Sequence, residues 1–339
     1  MKQIQTYSNN NDAWIEWIPN ISTGNEESIL EIQQLLSGIP DLYLLHVDRG
    51  PAVNRSVLTM AGTMTSLEEG LYVLMSWLVQ NMDMSTHIGT HPRSGALDVS
   101  PFVLLKGGTR EKIIAWVSQL AKGLSTEFKL PVFLYEQSAS HPDRSNLADI
   151  RKGEYEGLRM KLEDPFWKPD FGTTHNPYLG ATVMGVRDFL IAYNVNINTS
   201  DIRVAKAIAK EIRARGSSLR EWRLEGVKAM GWHLTDAGFC QISTNITQTR
   251  ITTPLDVFNN CRILAQKMGC EVTGSELIGL IPHHSVSAML DQTSSTTVGL
   301  AGQLGLDYCS IGDLQERMIE HKLYLASRKT IFNEIFDSK

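Results

Sequence analysis

The stretch Phe189-Leu-Ile-Ala-Tyr-Asn-Val-Asn-Ile-Asn198 sets Phe189, Ile191, Tyr193, Val195 and Ile197 in alternation with Asn194, Asn196 and Asn198. Successive side chains of a strand point to opposite faces, so this period of two predicts a strand with one apolar and one polar face. Forward from it, the spacing predicts a helix over about 201–213 and strands over about 226–233 and 239–245. A helix with Val257, Cys261, Leu264 and Met268 on one face and a strand over 271–280 follow. The order βαββαβ is that of a ferredoxin-like split βαβ unit.

Backward from it, four of the 12 prolines, at 142, 165, 169 and 177, predict loops, short helices and a domain junction between 137 and 185. Nearer the N-terminus, residues 13–19 read as a strand, Ile29, Ile32 and Leu36 as one face of a helix, and Leu42 to Val47 and Arg55 to Ala61 as strands. Ser66 and Glu69 form a capping box for a helix with Leu67, Leu71, Leu74 and Leu78 on one face. Residues 13–83 thus carry a less clear version of the same order. The Gly-, His-, Ser- and Thr-rich segment 84–100 predicts loops. After it come a strand from Pro101 to Leu105, a helix through Ile113, Val117, Leu120 and Leu124, and a strand from Val132 to Tyr135. The expected architecture is α/β (α+β): two ferredoxin-like subdomains, 1–185 and 186–295, with a ligand cleft between them, and a helical extension over 296–339.

With 339 residues the chain is long enough to bury a core without disulfide or metal staples. Its 42% hydrophobic and 20% charged residues exclude a disordered or collagenous chain. The net charge of −5, from 32 basic and 37 acidic residues, lacks the basic excess of a dedicated nucleic-acid binder. No apolar run reaches the roughly 18 residues of a membrane span, and the N-terminus lacks a signal-peptide core, so the expectation is a cytoplasmic protein with no membrane partner. The four cysteines, Cys240, Cys261, Cys270 and Cys309, contain no Cys-x-x-Cys pair and predict buried reduced thiols.

The densest chemical cluster is His87-Ile-Gly-Thr-His91-Pro-Arg93-Ser-Gly95-Ala-Leu-Asp98. Its glycines and Pro92 oppose a regular helix, which places two imidazoles, a guanidinium and a carboxylate on a loop. A neutral imidazole can move a proton and Arg can grip a carboxylate, although the same groups can also serve loop packing. His-x-x-x-His is also a metal spacing, but without a helix, an intervening glutamate or a thiolate cluster no metal is expected. A second cluster, His46-Val-Asp48-Arg49-Gly50-Pro51-Ala-Val-Asn54-Arg55, joins two strands; its Asp48 can support a cationic transition state or cap a turn. His283-His284 reads as a helix start or surface pair.

Several segments together resemble glutamate formiminotransferases. Ile18-Pro-Asn20-Ile-Ser22 is similar to the family's Val-Pro-Asn-Phe-Ser, and His87 to Asp98 to its histidine loop. Val132 to Tyr135, Ile150-Arg-Lys-Gly-Glu-Tyr-Glu156, Pro169-Asp-Phe-Gly172, Ala192 to Asn196, Gln241 to Asn245 and Gly274 to Leu280 are further matches. The resemblance implies a homodimer that carries a formimino group from N-formimino-L-glutamate to tetrahydrofolate as cosubstrate, in histidine degradation. It implies His91 and Asp48 as catalytic residues; Arg93 or Arg55 can hold substrate carboxylates, and with Asn54 and Asn20 they are the expected substrate-binding residues. It places the folate-binding loop on Gly172, Thr173, Thr174, His175, Asn176, Pro177, Tyr178, Leu179 and Gly180. Thr90 stands where the family commonly has Glu, Ser94 and Ser100 replace Met and Cys, and the folate loop is slightly shorter. A noncatalytic folate-binding or regulatory homologue is the alternative, and a hydrolase with metal on His87 and His91 is the other enzyme reading.

Overall fold

A computed structural model describes residues 13–216, 221–234 and 237–327. Residues 328–339, the end of the expected extension, lie outside them. The chain divides after Arg187 into two compact units, the second being Asp188–Leu325. Each is mixed α/β with its own sheet.

The first unit is built on one sheet. Strand β1 (Trp14–Trp17) and the short β2 (Asn20–Ile21) are two parts of one edge-to-edge path interrupted at Pro19, which has no N–H to donate. They are followed by α1 (Glu26–Ser37), β3 (Leu42–Gly50), β4 (Arg55–Thr63), α2 (Met64–Asn81) and β5 (Leu97–Lys106). Helix α3 (Arg110–Phe128), β6 (Val132–Leu134), α4 (Leu147–Arg151), α5 (Glu154–Glu163) and β7 (Thr182–Val186) complete it. Across the sheet the order is β3, β4, β1 with β2, β5, β7, β6, antiparallel except where β7 pairs with β5 and β6. One face carries Trp17, Met60 and Phe102, opposite one another in register, and buries them against Ile32, Leu71 and Leu120 of α1, α2 and α3. Trp17 and Phe102 stack with centroids 6.1 Å apart. A smaller core, with Val99 and Val183 on strands and Ile150 and Leu158 on α4 and α5, anchors the segment that carries part of the site.

Three differences from the sequence reading have physical causes. Helix α2 starts at Met64, capped by Thr63, whose hydroxyl accepts from Ser66 N; Ser66 instead donates to the Asp41 carbonyl, 2.8 Å away, and so is not the cap. Strand β5 begins at Leu97, inside the expected loop. Asp98 and Ser100 look like loop residues but are buried through partners, Asp98 with two arginines and Ser100 with the Trp17 indole N–H at 2.8 Å. Strand β7 was hidden because all five of its residues are buried, so it shows no alternation.

In the second unit β8 (Ile191–Ile197), α6 (Ile202–Ile212), β9 (Val227–Leu234), β10 (Phe239–Ile246), α7 (Pro254–Lys267) and β11 (Val272–Ile278) follow the βαββαβ order. The sheet is antiparallel in the order β11, β8, β10, β9. Tyr193, Val195 and Ile197 share a core with Ile208 of α6 and Cys261 of α7, while Asn194 and Asn196 face the other way. There Gln241 donates to Asn196 (2.8 Å) and to Glu276 (2.9 Å), so the polar half of the alternation is a hydrogen-bonded row. Helices α8 (His283–Thr293), α9 (Thr297–Gln303) and α10 (Ile319–Ala326) follow. Leu300, Leu304, Ile311, Leu314 and Met318 join this core, so 296–325 belongs to the second unit rather than forming a separate extension. Of the cysteines, Cys240, Cys261 and Cys270 are buried and all four are free thiols. Among the described residues, no helix is long and apolar enough to cross a membrane.

The core assignment sets a contrast between two leucines. Leu71→Ala, at a fully buried position of α2, is expected to lower the unfolding free energy by about 2–5 kcal/mol. Leu30→Ala, at a position 52% exposed on α1, should change it by no more than about 0.5 kcal/mol in the same urea titration.

Candidate active site

The loop between α2 and β5 has no regular structure at His87 or His91. It is pinned at its end by close backbone approach: Gly95 bridges to Gly180, and a Cβ on Gly95 would lie 2.4 Å from the Ala181 carbonyl oxygen. Gly180 has φ +70°, and its Cβ would lie 2.2 Å from the Ser94 carbonyl oxygen. Two glycines therefore let the histidine loop and the 172–180 loop touch backbone to backbone.

Just beyond that bridge, Asp98 is fully buried. Its Oδ2 accepts from Arg55 Nη1 at 2.6 Å and pairs with Arg151 Nη2 at 2.9 Å, and its Oδ1 accepts from Ser94 N at 2.8 Å. Burial works to raise its pKa, but Arg151, Arg55 and the Ser94 amide outweigh it and hold the carboxyl below its usual value. Arg55 Nη2 also donates to Asn20 Oδ1 at 3.0 Å. Two arginines distant in sequence, with the nearby Ser94 amide, converge on one carboxylate.

His91 lies beside this cluster. Its Nδ1 is 2.8 Å from the Pro92 carbonyl, which can only accept, so Nδ1 carries the hydrogen and the neutral ring keeps its lone pair on Nε2. Burial, followed by the charges of Arg55 and Arg151, pushes its pKa down to about 4. His87 is arranged differently. Its Nδ1 accepts from Arg93 Nε (3.2 Å), and its Nε2 is 3.3 Å from the Asn54 carbonyl, so both ring nitrogens are spent on neighbours. The two histidines thus differ in their ring partners and in the charges around them.

Arg93 is buried and forms a two-pronged pair with Glu156, at 2.8 and 2.6 Å, with Glu154 at 3.3 Å. Its fork is already filled by protein carboxylates, which differs from a guanidinium open to a substrate carboxylate. These groups, with His87, Ile88, Gly89 and Gly153, line an open cavity of about 430 Å³. Asn54, at φ 50°, accepts from Gly24 N (2.9 Å) and donates to the Ile88 carbonyl (2.8 Å), tying the β3–β4 turn to the histidine loop. Asp48 sits on β3 opposite Val57, which is opposite Asn20 on the other side of β4, so the three share a sheet face with Arg55. His46 Nε2 is 3.2 Å from Asp48 Oδ1.

In the 172–180 loop, Asn176 is the organiser: its Oδ1 accepts from Tyr178 N and Leu179 N, and its amide donates to the Phe128 and Lys129 carbonyls. Leu179 is part of the core. Gly172, Thr173, Thr174, Pro177 and Tyr178 are exposed, Tyr178 at 61%, while His175 lies 6.2 Å ring to ring from Tyr155. Tyr155 donates from its hydroxyl to the Pro177 carbonyl (2.6 Å) and from its N–H to the Arg93 carbonyl (2.8 Å). Sequence reasoning gave no role to Arg151, Glu154, Tyr155 or Glu156. The available signal was an arginine, a glycine and two carboxylates in seven residues, but Asp98 and Arg93, which they meet, lie more than 50 residues away in the chain.

Among the described residues no group of three or more His, Cys, Asp or Glu could hold a metal ion. The formiminotransferase domain, N-terminal subdomain, matches residues 14–187, and the formiminotransferase domain matches 192–324. The chain belongs to the formiminotransferase family. It is 37% identical over 270 residues to a glutamate formimidoyltransferase of Streptococcus pyogenes serotype M1, covering 79% of this chain and 89% of that one. A Thermoplasma acidophilum protein of the same name is 35% identical over 275 residues, 80% of this chain and 89% of that one. The formimidoyltransferase-cyclodeaminase of Mus musculus is 36% identical over 324 residues, 91% of this chain but only 59% of the mouse protein. The chain therefore spans about six-tenths of the length of the formimidoyltransferase-cyclodeaminases it matches.

The electrostatics at His91 have a measurable sign. Its folded pKa lies below the ordinary histidine value, so in a pH titration followed by NMR its imidazole should stay neutral as pH falls through 6.5 and protonate only near about 4. The stability contributed by keeping it neutral is present above about pH 6.5 and is lost progressively as pH falls toward about 4.

Proposed function

We propose that this chain is a glutamate formimidoyltransferase, moving the formimino group of N-formimino-L-glutamate to tetrahydrofolate and releasing 5-formiminotetrahydrofolate and glutamate, in histidine degradation. The observation that carries this reading is His91: a neutral imidazole with its hydrogen fixed on Nδ1 and its base on Nε2, on a loop bridged to the 172–180 loop. Membership of the family and the names of the Streptococcus and Thermoplasma relatives support the same chemistry.

The transfer needs one proton removed and one supplied. The attacking pterin nitrogen forms a bond to the amidine carbon and gives its proton to His91 Nε2. The imidazolium returns that proton to the glutamate nitrogen, whose bond to carbon then breaks. A histidine whose pKa is pushed down to about 4 is, once protonated, a stronger acid than an ordinary imidazolium, which favours this second step. Asp48 offsets the positive charge of the amidinium. Thr173, Thr174 and Tyr178 present hydroxyls and an aromatic plane to the folate, with Asn176 shaping the loop beneath them. Asn20 and Asn54 act by holding Arg55 and the histidine loop in place. The βαββαβ order in both units supports reading each as ferredoxin-like, and the family resemblance supports a homodimer.

A coupled assay with N-formimino-L-glutamate and tetrahydrofolate tests the reading directly. His91→Ala should lower kcat about 10²- to 10⁴-fold while leaving folate affinity close to wild type, because proton transfer acts mainly in the transition state. His87→Ala, which removes a ring with both nitrogens already engaged, should be the milder substitution. Wild-type turnover in a folded His91→Ala protein would remove His91 from the mechanism, whereas folate binding without turnover by the wild-type protein would return the chain to the noncatalytic folate-binding alternative.

A further inference from the structure

The Asp98 cluster is unbalanced. One carboxylate faces two guanidinium groups, all three largely or wholly buried, with side-chain exposures of 0% for Asp98, 7% for Arg55 and 12% for Arg151. The site therefore holds one positive charge in excess, and a buried charge is tolerated only with a compensating partner. Arg55 spends one Nη on Asp98 and the other on Asn20. Arg151 spends one Nη on Asp98, and its Nε is buried with no hydrogen-bond acceptor among the described residues. A planar fork with an unused buried N–H and a surplus positive charge matches a carboxylate in shape and charge.

We propose that Arg151, backed by Arg55, is the carboxylate-binding group for the formimino donor. This rests on the transferase reading. Two substrates carry carboxylates, the donor and the glutamate tail of folate, and position favours the donor. Arg55 and Arg151 act electrostatically on His91, the residue assigned to the reacting nitrogen atoms. In the donor the α-carboxylate is attached to the carbon that bears the reacting nitrogen, whereas the folate tail lies beyond the pterin and its aryl ring. Arg93, with its fork filled by Glu154 and Glu156, is the poorer candidate. In this arrangement the donor carboxylate completes the charge balance of the cluster and places the amidine carbon beside His91, so that Arg151 selects donors that bear a carboxylate.

The test is steady-state kinetics on the full chain with Arg151→Gln and Arg151→Lys. Arg151→Gln leaves Asp98 paired with Arg55, and it should raise the KM for N-formimino-L-glutamate by about 10- to 100-fold, as for loss of a charged hydrogen bond. The KM for tetrahydrofolate should move by no more than about twofold, and Arg151→Lys should recover part of the loss because it keeps the charge but not the fork. Glutamate affinity by calorimetry should weaken in parallel, a readout that does not depend on turnover. An unchanged donor KM in folded Arg151→Gln overturns the proposal. So does a rise in the KM for tetrahydrofolate that disappears with tetrahydropteroate, which would assign the fork to the folate tail. If Arg151→Gln does not fold, Arg151→Lys and its glutamate affinity decide. Wild-type protein that binds glutamate through Arg151 but transfers no formimino group would sink the activity and keep the site, whereas transfer indifferent to Arg151 would do the reverse.

Discussion

The ion pair between buried Asp98 and its two arginines constrains most of the first unit's working parts. Arg55 arrives on β4, Arg151 at the end of α4, the Ser94 amide from the histidine loop, and Asp98 itself opens β5. Removing one partner of such a buried pair typically costs about 3–5 kcal/mol, because the remaining charge is left unpaired in a low-dielectric interior. The elements that surround His91 are thereby held to one another by charge rather than by apolar packing alone. The electrostatics that lower the basicity of His91 come from these same arginines, so the device that fixes its surroundings also tunes its chemistry.

Around that cluster the site is assembled from short polar ties across distant segments. Tyr155 is the plainest case: its amide holds the histidine loop at Arg93 and its hydroxyl holds the 172–180 loop at Pro177. Met84 N adds another tie, donating to the Tyr178 carbonyl at 2.9 Å. Loops with so little regular structure keep a defined shape only when their backbone groups find such partners.

The second unit was the more legible in sequence. The alternation from Ile191 to Ile197 was a sufficient sign of a strand, because one of its faces is apolar and the other a row of amides. The first unit was harder where polar residues are interior: Asp98 and Ser100 read as loop chemistry yet lie in a strand, because their partners, Arg55, Arg151 and Trp17, come from far along the chain. The same limit applied to the site. His91 and Asp48 could be singled out from local composition and resemblance, but the pairing of Arg93 with Glu156 and of Arg151 with Asp98 is a product of tertiary structure, and spacing of more than 50 residues carries no geometric information. Residues 296–325 looked like an appendage because their apolar positions are scattered through short turns, although Leu300, Leu304 and Leu314 complete a core.

The 172–180 loop is anchored at both ends: Phe171 bridges to Val132, and Gly180 bridges to Gly95. At Gly180 there is no space for a side chain, and at Gly172, with φ +68°, a Cβ would fall 2.5 Å from the Ser125 hydroxyl. The least constrained positions are therefore the exposed Thr173, Thr174, Pro177 and Tyr178 around the Asn176 turn. Such a loop behaves as an exchangeable cassette on a fixed frame: a residue gained or lost there reshapes what the loop presents without moving the histidine loop.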